Sequence, residues 1–221
     1  MTTAIPSAKT QFWLSLAANG PTTVTPTAIS AAKPAVVTVA NTAGIVKGSV
    51  VRVSGTNFPE LDGKTFLVGT VDGAANTFEL MGSDTSGSTA VLGATPVVNV
   101  YTTAGNMTKF CVSSFSREGG QADVVPVGTY CDPSATIAGT SSAGTASFAG
   151  YMDPTEEGYL ELLRAVDDRK ERLLHIVLPD GKGDIILRGV INSFSEDFTL
   201  GNAISWTSGM ALATNPTYIW P

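Results

Sequence analysis

Charged and metal-binding side chains are scarce in this chain. Only 14% of the 221 residues are charged, the net charge is −6, and there are one histidine and two cysteines. A nucleic-acid clamp needs clustered Lys and Arg to neutralise phosphates, and this acidic composition argues against one. Cys111 and Cys131 lie far apart without a CxxC motif, which argues against a zinc site, so we expect two buried free thiols.

Long apolar runs are missing as well. No run approaches the roughly 18 residues that a membrane helix requires. The apolar patch 12–18 near the N-terminus is short and follows a single lysine, which is a poor match to a signal peptide. We therefore expect neither membrane insertion nor secretion.

Catalytic motifs are equally absent from the sequence. His175 stands alone on a predicted strand, with no GxSxG motif or serine signature that would place it in a triad. Residues 180–183 (DGKG) lack the spacing of a phosphate loop and indicate a hairpin turn. The acidic pairs Glu156-Glu157 and Asp167-Asp168 are explained by helix ends and a solvated face. We expect no enzyme, no cofactor and no metal.

The residues that are abundant favour β-structure. Apolar residues make up 43%, and there are 23 Gly and 12 Pro among many Thr, Ser, Ala and Val. This composition is typical of short strands joined by turns. We predict first-sheet strands at 10–17, 109–116, 145–152, 172–178, 184–196 and 202–213.

One segment, 153–170, has the pattern of an amphipathic helix. Asp153 suits the N-cap, Pro154 the first helical position, and Glu156 would close a capping box. Its apolar residues recur at helical spacing, with Glu157 and Glu161 off the stripe. The residues expected to pack on a sheet are Tyr159, Leu162, Leu163 and Val166.

A block of different texture interrupts the first part of the chain. Residues 26–101 carry their own predicted strands at 35–40, 49–54, 65–71 and 76–81, separated by Gly, Asn and Asp turns. Thr-rich stretches flank the block on both sides. We predict a discontinuous main domain, 1–25 and 102–221, with a small all-β barrel inserted as 26–101.

Two further features indicate surfaces that contact partners. The segment 126–144 is rich in Pro, Gly, Ser and Thr and is too long for a simple turn, which is typical of an interaction loop. Along 184–196, apolar residues alternate with polar ones, so one face of that strand should be polar. The loop candidates are Pro126, Tyr130, Asp132, Pro133 and Ile137, and the polar-face candidates are Asp184, Arg188, Asn192 and Glu196.

Three segments resemble, in this order, the tail tube (major tail) protein of a long-tailed bacteriophage: SFSREGGQADVVPVGTY, SFAGYMDPTEEGYLELLRA and LRGVINSFSEDFTLGNAISWTSG. The resemblance covers residues 1–25 and 102–221. It implies a mainly β fold, a β-sandwich or barrel with one flanking α-helix. The inserted block, with AVVTVANTAGIVKGSVVRVSG, LDGKTFLV and NTFEL, is similar to small β-barrel modules of phage virion proteins that are called E1-FCCH-like.

The resemblance also implies a structural role. The subunits would form homohexameric rings, stacked into a tube whose lumen passes double-stranded DNA, with Asp184, Arg188, Asn192 and Glu196 facing the lumen. Loop 126–144 would bridge successive rings, and the inserted barrel would lie on the tube exterior. Implied partners are the tape measure, tail tip and tail terminator proteins, and the protein would be made in the host cytoplasm and end in the virion.

Composition alone leaves two other functions open. A secreted or cell-surface adhesion or carbohydrate-binding module of two β-domains would have the same composition, although the missing signal peptide argues against it. A hydrolase with unusual site geometry is the other alternative, and the lack of any paired nucleophile and base argues against it.

Overall fold

The computed structural model describes residues 9–120, 122–126 and 136–220, with the backbone alone for 122–126 and 136–141. The described part is mainly β and contains one α-helix, α1 (Glu157–Asp168), and one short 3-10 helix, Pro179–Gly181. Its strands are β1 (Gln11–Ser15), β2 (Thr22–Val24), β3 (Pro26–Ile29), β4 (Ala35–Val39), β5 (Val50–Ser54), β6 (Thr65–Asp72), β7 (Thr77–Met81), β8 (Val97–Tyr101), β9 (Met107–Phe110), β10 (Ser114–Gly119), β11 (Ala122–Pro126), β12 (Thr136–Ser141), β13 (Gly144–Tyr151), β14 (Glu171–Val177), β15 (Asp184–Asp197), β16 (Ser205–Leu212) and β17 (Thr217–Ile219). The predicted fold class, mainly β with one helix, is confirmed.

The first sheet is antiparallel and rolls around one aromatic core. Its strand order is β10-β13-β16-β15-β14-β1-β9, and β17 pairs with the start of β15. Phe110 on β9 lies 5.9 Å from Phe148 on β13 and 6.5 Å from Trp206 on β16, measured between ring centroids. Strands from opposite ends of the order therefore meet across the interior.

The long strand β15 makes this rolling possible. Its residues 184–190 pair with β14, and its residues 189–197 pair with β16. A β-bulge interrupts the second ladder between Ile191 and Ser193. Bulges bend a strand and raise its twist, so β15 turns the sheet at this point.

Helix α1 begins at Glu157, later than the predicted start at Asp153 and Pro154. The Asp153 carboxylate accepts bonds from the backbone N–H and the hydroxyl of Thr155, at 2.9 and 2.6 Å, which stabilises a turn before the helix. The Glu156 carboxylate accepts a bond from the Cys111 N–H at 2.8 Å and does not form the predicted capping box. The helix ends at Asp168 because Arg169 is left-handed, with φ of 51°.

The helix packs on the core of the first sheet. Tyr159, Leu162 and Ala165 are buried there, and Leu163 and Val166 are partly buried against it. Glu161 is also fully buried, although the helical pattern put it off the apolar stripe. Its carboxylate accepts a bond from the Ala17 N–H at 2.7 Å and lies 3.3 Å from Arg172 Nε, which compensates the buried charge.

The second sheet comprises seven antiparallel strands in the order β2-β8-β5-β6-β7-β4-β3. Strands β4 to β7 lie at the predicted positions within a residue or two, and β3 and β8 were not predicted. Strand β2 precedes residue 26 and pairs with β8, where the pattern indicated only a Thr-rich flank. The sheet has its own core, which includes Val37, Val51, Val53, Phe58, Leu61, Phe66, Val68, Phe78, Leu80, Val98 and Val100.

The sequence predicted one loop at 126–144. The structure instead has β-strand in part of this segment. Strand β12 lies within it and pairs antiparallel with β11, which ends at Pro126, so that Ala122 is opposite Ser141. The adjoining pair β10 and β13 has Gly119 opposite Gly144, which is the same register as Ala122 opposite Ser141, and a β-bulge then shifts the β11–β12 register between Ala122 and Val124. The described strands 114–126 and 136–151 thus form two consecutive antiparallel pairs, which we call the long hairpin, because alternating Val, Ala, Thr and Ser suit a strand despite the many small residues.

Candidate functional site

A polar surface covers part of the outside of the rolled sheet. We call it the polar face: the outward side chains of β10, β13, β16 and residues 193–197 of β15. Register places Ser116, Ser147, Gly209 and Ser193 in one row, and Ser114, Ala149, Thr207 and Ser195 in the next. Among the described side chains of this face, the charged ones are Glu118 and Asp197. The described side chains of this face are thus mostly small or hydroxyl-bearing, and none of them is a cation.

The four strands that carry the polar face form a group with an open edge on each side. Within the described residues, β10 pairs with β13 alone, and residues 191–197 of β15 pair with β16 alone. Each edge leaves backbone N–H and C=O groups without a strand partner. Such edges pair readily with another chain.

The four predicted lumen residues do not share one face. Asp184 lies with its Oδ1 2.8 Å from His175 Nε2, and Arg188 is buried under the second sheet. Asn192 is exposed at the bulge. The Glu196 carboxylate instead accepts a bond from the Tyr159 hydroxyl, on the helix side of the sheet.

The bulge explains why the alternation failed beyond Ile191. An extra residue in one strand reverses which side chains point outward. Ser193 and Ser195 therefore point away from the core, and Phe194 packs on it. Whether Asp184, Arg188, Asn192 or Glu196 faces a lumen stays a prediction.

The polar face could have been found from its own sequence signal. In GTASFAGY (β13) and SWTSGMAL (β16), small or hydroxyl residues alternate with Phe148, Trp206 and Met210. That period of two predicts one apolar and one polar side. Both segments were predicted as strands from their composition, and their polar side was not predicted.

The predicted ring-contact residues fall on the far half of the long hairpin. Pro126 ends β11 and Ile137 lies opposite Val125 in β12. Tyr130, Asp132 and Pro133 lie outside the described residues, as does Cys131. The role of this hairpin in ring contacts therefore stays a prediction.

The second sheet packs on the outside of the first sheet, next to the polar face. The shared apolar cluster contains Val50 from β5, and Met107, Leu173, Ile186 and Ile219 from the first sheet. Leu67, Met81, Tyr101 and Trp13 pack around it. This contact covers the outward face of β14 and of the first half of β15, which is otherwise the continuation of the polar face.

Ionic contacts accompany this apolar contact. Glu171 Oε1 lies 3.1 Å from Arg188 Nε and 3.5 Å from Arg52 Nη1, so one carboxylate oxygen serves two guanidinium groups. Arg188 Nη1 donates to the Gly63 carbonyl at 3.0 Å. Burial lowers the pKa of Arg188, and Glu171 opposes that change.

Groups that could carry chemistry are engaged in the structure of the fold. His175 is buried against Asp184, and no cluster of three metal ligands occurs in the described part of the chain. Cys111 is exposed, contrary to the expected buried thiol, because it lies in the short link between β9 and β10. Partial burial of its sulfur, and then nearby Glu156, raises the pKa of this thiol. No described helix is long and apolar enough to cross a membrane.

The described part of the chain thus contains a rolled β-sheet whose polar outer face lies between two open strand edges. A sequence profile for the family described as "Phage tail tube protein, TTP" matches residues 56–219. The chain belongs to this family of tail tube proteins, as the resemblance predicted. It is a structural virion component and not an enzyme.

Solved structures of tail assemblies are similar at low identity. A chain from the tail of an empty GTA particle with C6 symmetry has 14% identity and a TM-score of 0.38, and the match covers 48% of this chain and 81% of that one. A chain from the virion of a native gene transfer agent particle has 13% identity and a TM-score of 0.40, covering 53% and 90%. A chain of the anti-feeding prophage tube terminating cap has 13% identity and a TM-score of 0.39, covering 51% and 83%. No curated protein matches the chain.

Proposed function

We propose that this protein is the subunit of the tail tube wall, and that copies join into hexameric rings whose stacked lumen conducts double-stranded DNA. The observation that carries the proposal is the pair of open edges on either side of the polar face. The six-fold ring follows from the sequence resemblance to major tail proteins. Both edges and the face belong to the same four strands.

The two open edges are complementary in direction. Strands β10, β13, β16 and β15 alternate in direction because each neighbouring pair is antiparallel. Placing β10 of one copy beside residues 191–197 of β15 in the next copy continues that alternation. Because the two edges differ, the contact is head-to-tail, and such contacts close into a ring when the rotation fits. Ring closure would remove these two open edges.

The polar face would then line the lumen. DNA binding depends on Lys and Arg that neutralise phosphates and release counterions. The described side chains of this face are mostly Ser, Thr, Ala and Gly, with Glu118 and Asp197 as its charges. A wall without cations gives passing phosphates nothing to bind, which favours sliding over retention.

The long hairpin and the second sheet complete the assembly. The far half of the hairpin, β11 with β12, extends beyond the rolled sheet and would contact the next ring. Residues 26–101 would form a separate barrel on the tube exterior, because the second sheet covers a face that the lumen does not use. The ends of the tube would meet the tape measure, tail tip and terminator proteins that the resemblance implies.

Microscopy of the purified protein tests the ring and the tube. Negative-stain images should show tubes or rings with six-fold symmetry. A protein that stays monomeric at all concentrations, even with tail initiator proteins present, would contradict the proposal.

Engineered disulfides test which edges pair. In a background with Cys111 and Cys131 replaced by Ser, cysteines at Ser114 or Ser116 are combined with cysteines at Ser193 or Ser195. Oxidation of the best-matched pair should give a ladder of covalent oligomers that ends at six. Cysteines at Ala43 and Thr70, exposed on the second sheet, are the control and should give no ladder. Absence of a ladder from all four combinations would rule out this edge pairing.

Lysines on the polar face test the lumen. Ser147→Lys with Thr207→Lys should leave assembly intact and make the tubes bind short duplex DNA, in a salt-dependent way and protected from nuclease. The matched control places lysines at Ala43 and Thr70 and should give binding without protection. Equal nuclease sensitivity for both variants would show that the polar face does not line the lumen.

A further inference from the structure

A cavity lies at the contact between the two sheets, and hydrogen-bond donors are among the groups that line it. Its volume is about 500 Å³, and it lies between residues 62–65 of the second sheet and residues 214–217 that precede and begin β17. Arg188 reaches it from β15. The cavity is separate from both open edges and from the polar face.

Arg188 is incompletely paired in this position. The residue is 9% exposed, and its Nε lies 3.1 Å from Glu171 Oε1 at an angle that does not make a hydrogen bond. The same oxygen also serves Arg52, whose Nε is buried without a partner too. Two guanidinium groups thus share one carboxylate oxygen, and of these three side chains only that of Arg188 is buried, where an incompletely compensated charge is costly.

The other residues around the cavity include one lysine, one aspartate and three threonines. Lys64 contributes an ammonium, and the hydroxyls of Thr65 and Thr217 lie 3.2 Å apart. The carboxylate of Asp62 is occupied, because it accepts bonds from the backbone N–H and hydroxyl of Thr56 at 2.8 and 2.6 Å. Its second oxygen accepts from the Asn57 N–H at 3.1 Å.

We propose that this cavity is an anion site, in which Arg188 and Lys64 bind a carboxylate or phosphate group with help from the Thr65 and Thr217 hydroxyls. Carboxylates and phosphates match a guanidinium fork and accept several charge-assisted bonds. The group is either a free anion or an acidic side chain of a neighbouring copy. The site does not depend on the ring proposal, since all its residues belong to one chain.

Thermal denaturation of the unassembled full chain tests the site. Sodium phosphate and sodium succinate are titrated against sodium chloride at equal ionic strength and pH. A ligand that binds only the folded state should raise the melting temperature saturably, by about 3 to 5 °C at ten times its dissociation constant. No saturable rise with either salt would overturn the proposal.

Two substitutions locate the binding. Lys64→Met removes an exposed side chain, should leave folding intact, and should weaken binding about fivefold or more. Lys47→Met, an exposed lysine of the same sheet outside the cavity, is the control and should bind like the original protein. Arg188→Gln should abolish binding, but the decision rests on Lys64→Met because Arg188 also stabilises the sheet contact. Equal affinities for the two lysine variants would exclude the cavity.

Assembled particles identify the source of the anion. If the melting temperature of the particles no longer responds to phosphate, an acidic side chain of a neighbouring copy already fills the site. If the response is the same as for the unassembled chain, the site takes a free anion. Both results follow from the proposed site, and each assigns its occupant.

Discussion

Phe115 on β10 and Phe12 on β1 lie 5.6 Å apart between ring centroids, although their strands are far apart in the order of the first sheet. This contact shows that the edge strand β10 is held by the interior and not only by its one ladder with β13. Side chains of the core therefore hold the open edge strand next to the polar face in place. A rigid edge can pair with another chain without first becoming ordered.

Loss of the Phe115 ring should destabilise the fold. Phe115→Ala should lower the free energy of unfolding by about 3 kcal/mol, because large-to-small changes leave a cavity. Urea unfolding followed by tryptophan fluorescence measures the change. Ser116→Ala, exposed on the same strand, should stay within about 0.5 kcal/mol of the original protein. A small effect of both would mean that β10 is not anchored through Phe115.

Neutralising Glu161 should lower the free energy of unfolding, although the helical pattern places this residue off the apolar stripe. Glu161→Gln leaves Arg172 buried, with Asp168 at 2.6 Å as its remaining carboxylate. Breaking a buried pair in this way should cost about 3 kcal/mol. Glu157→Gln, exposed in the first turn of the same helix, is the matched control and should change the unfolding free energy little. Equal effects would contradict the burial of Glu161.

Replacing Ile186 by Asp should be harmful in the full chain and beneficial when the second sheet is removed. It is 1% exposed in the full chain, so Ile186→Asp should cost several kcal/mol, on the order of 4, by burying an unpaired charge. If residues 26–101 are replaced by a Gly/Ser linker, Ile186, Leu173 and Met107 lose their cover. There, Ile186→Asp should reduce aggregation, measured by light scattering.

The same deletion tests the proposed domain division. Tubes of smaller outer diameter and unchanged bore are expected from the deletion with Ile186→Asp. Loss of assembly, together with failure of isolated 26–101 to fold, would contradict the division. An effect of Ile186→Asp in the same direction in both backgrounds would contradict the covering role of the second sheet.

Tyr159 should make stability fall at alkaline pH. Burial, and then the hydrogen bond to Glu196, raises the pKa of Tyr159 from 10.0 to about 12. Because the folded pKa is the higher one, this contribution is complete below about pH 10 and is lost as pH rises towards 12, as the unfolded chain ionises first. The difference in unfolding free energy between the original protein and Tyr159→Phe should therefore shrink between about pH 10 and about pH 12. A difference that stays constant over this range would contradict the burial of the Tyr159 hydroxyl.

Local patterns in the sequence predicted most of the strands and the helix. The strands 172–178 and 184–196 and the turn between them follow from alternation and from Pro-Asp-Gly chemistry, and the structure has them as β14, the short 3-10 helix and β15. The helix start was wrong because Asp153 and Glu156 bond to Thr155 and Cys111 instead. Capping residues predict a helix start only when no other donor competes for them.

The candidate surfaces were harder to predict than the elements. The outward side of β15 depends on a bulge between Ile191 and Ser193, which exists only in pairing with β16. The burial of Arg188 depends on a carbonyl at Gly63, far away in the chain. Neither partner can be read from the neighbouring residues of the sequence.

The sequence by itself determined the class of this protein: mainly β, with one amphipathic helix, no catalytic motif and the succession of segments that marks a tail tube protein. The first three properties follow from periodicity, composition and motif spacing, which are local, and the last one comes from the resemblance of those segments to major tail proteins. Only the tertiary structure decided that the sheet rolls around Phe110 and Trp206, that Glu161 is buried, and which strand edges stay open. Those outcomes depend on which distant strands pair and in what register, and a one-residue change of register reverses the exposed side of a strand.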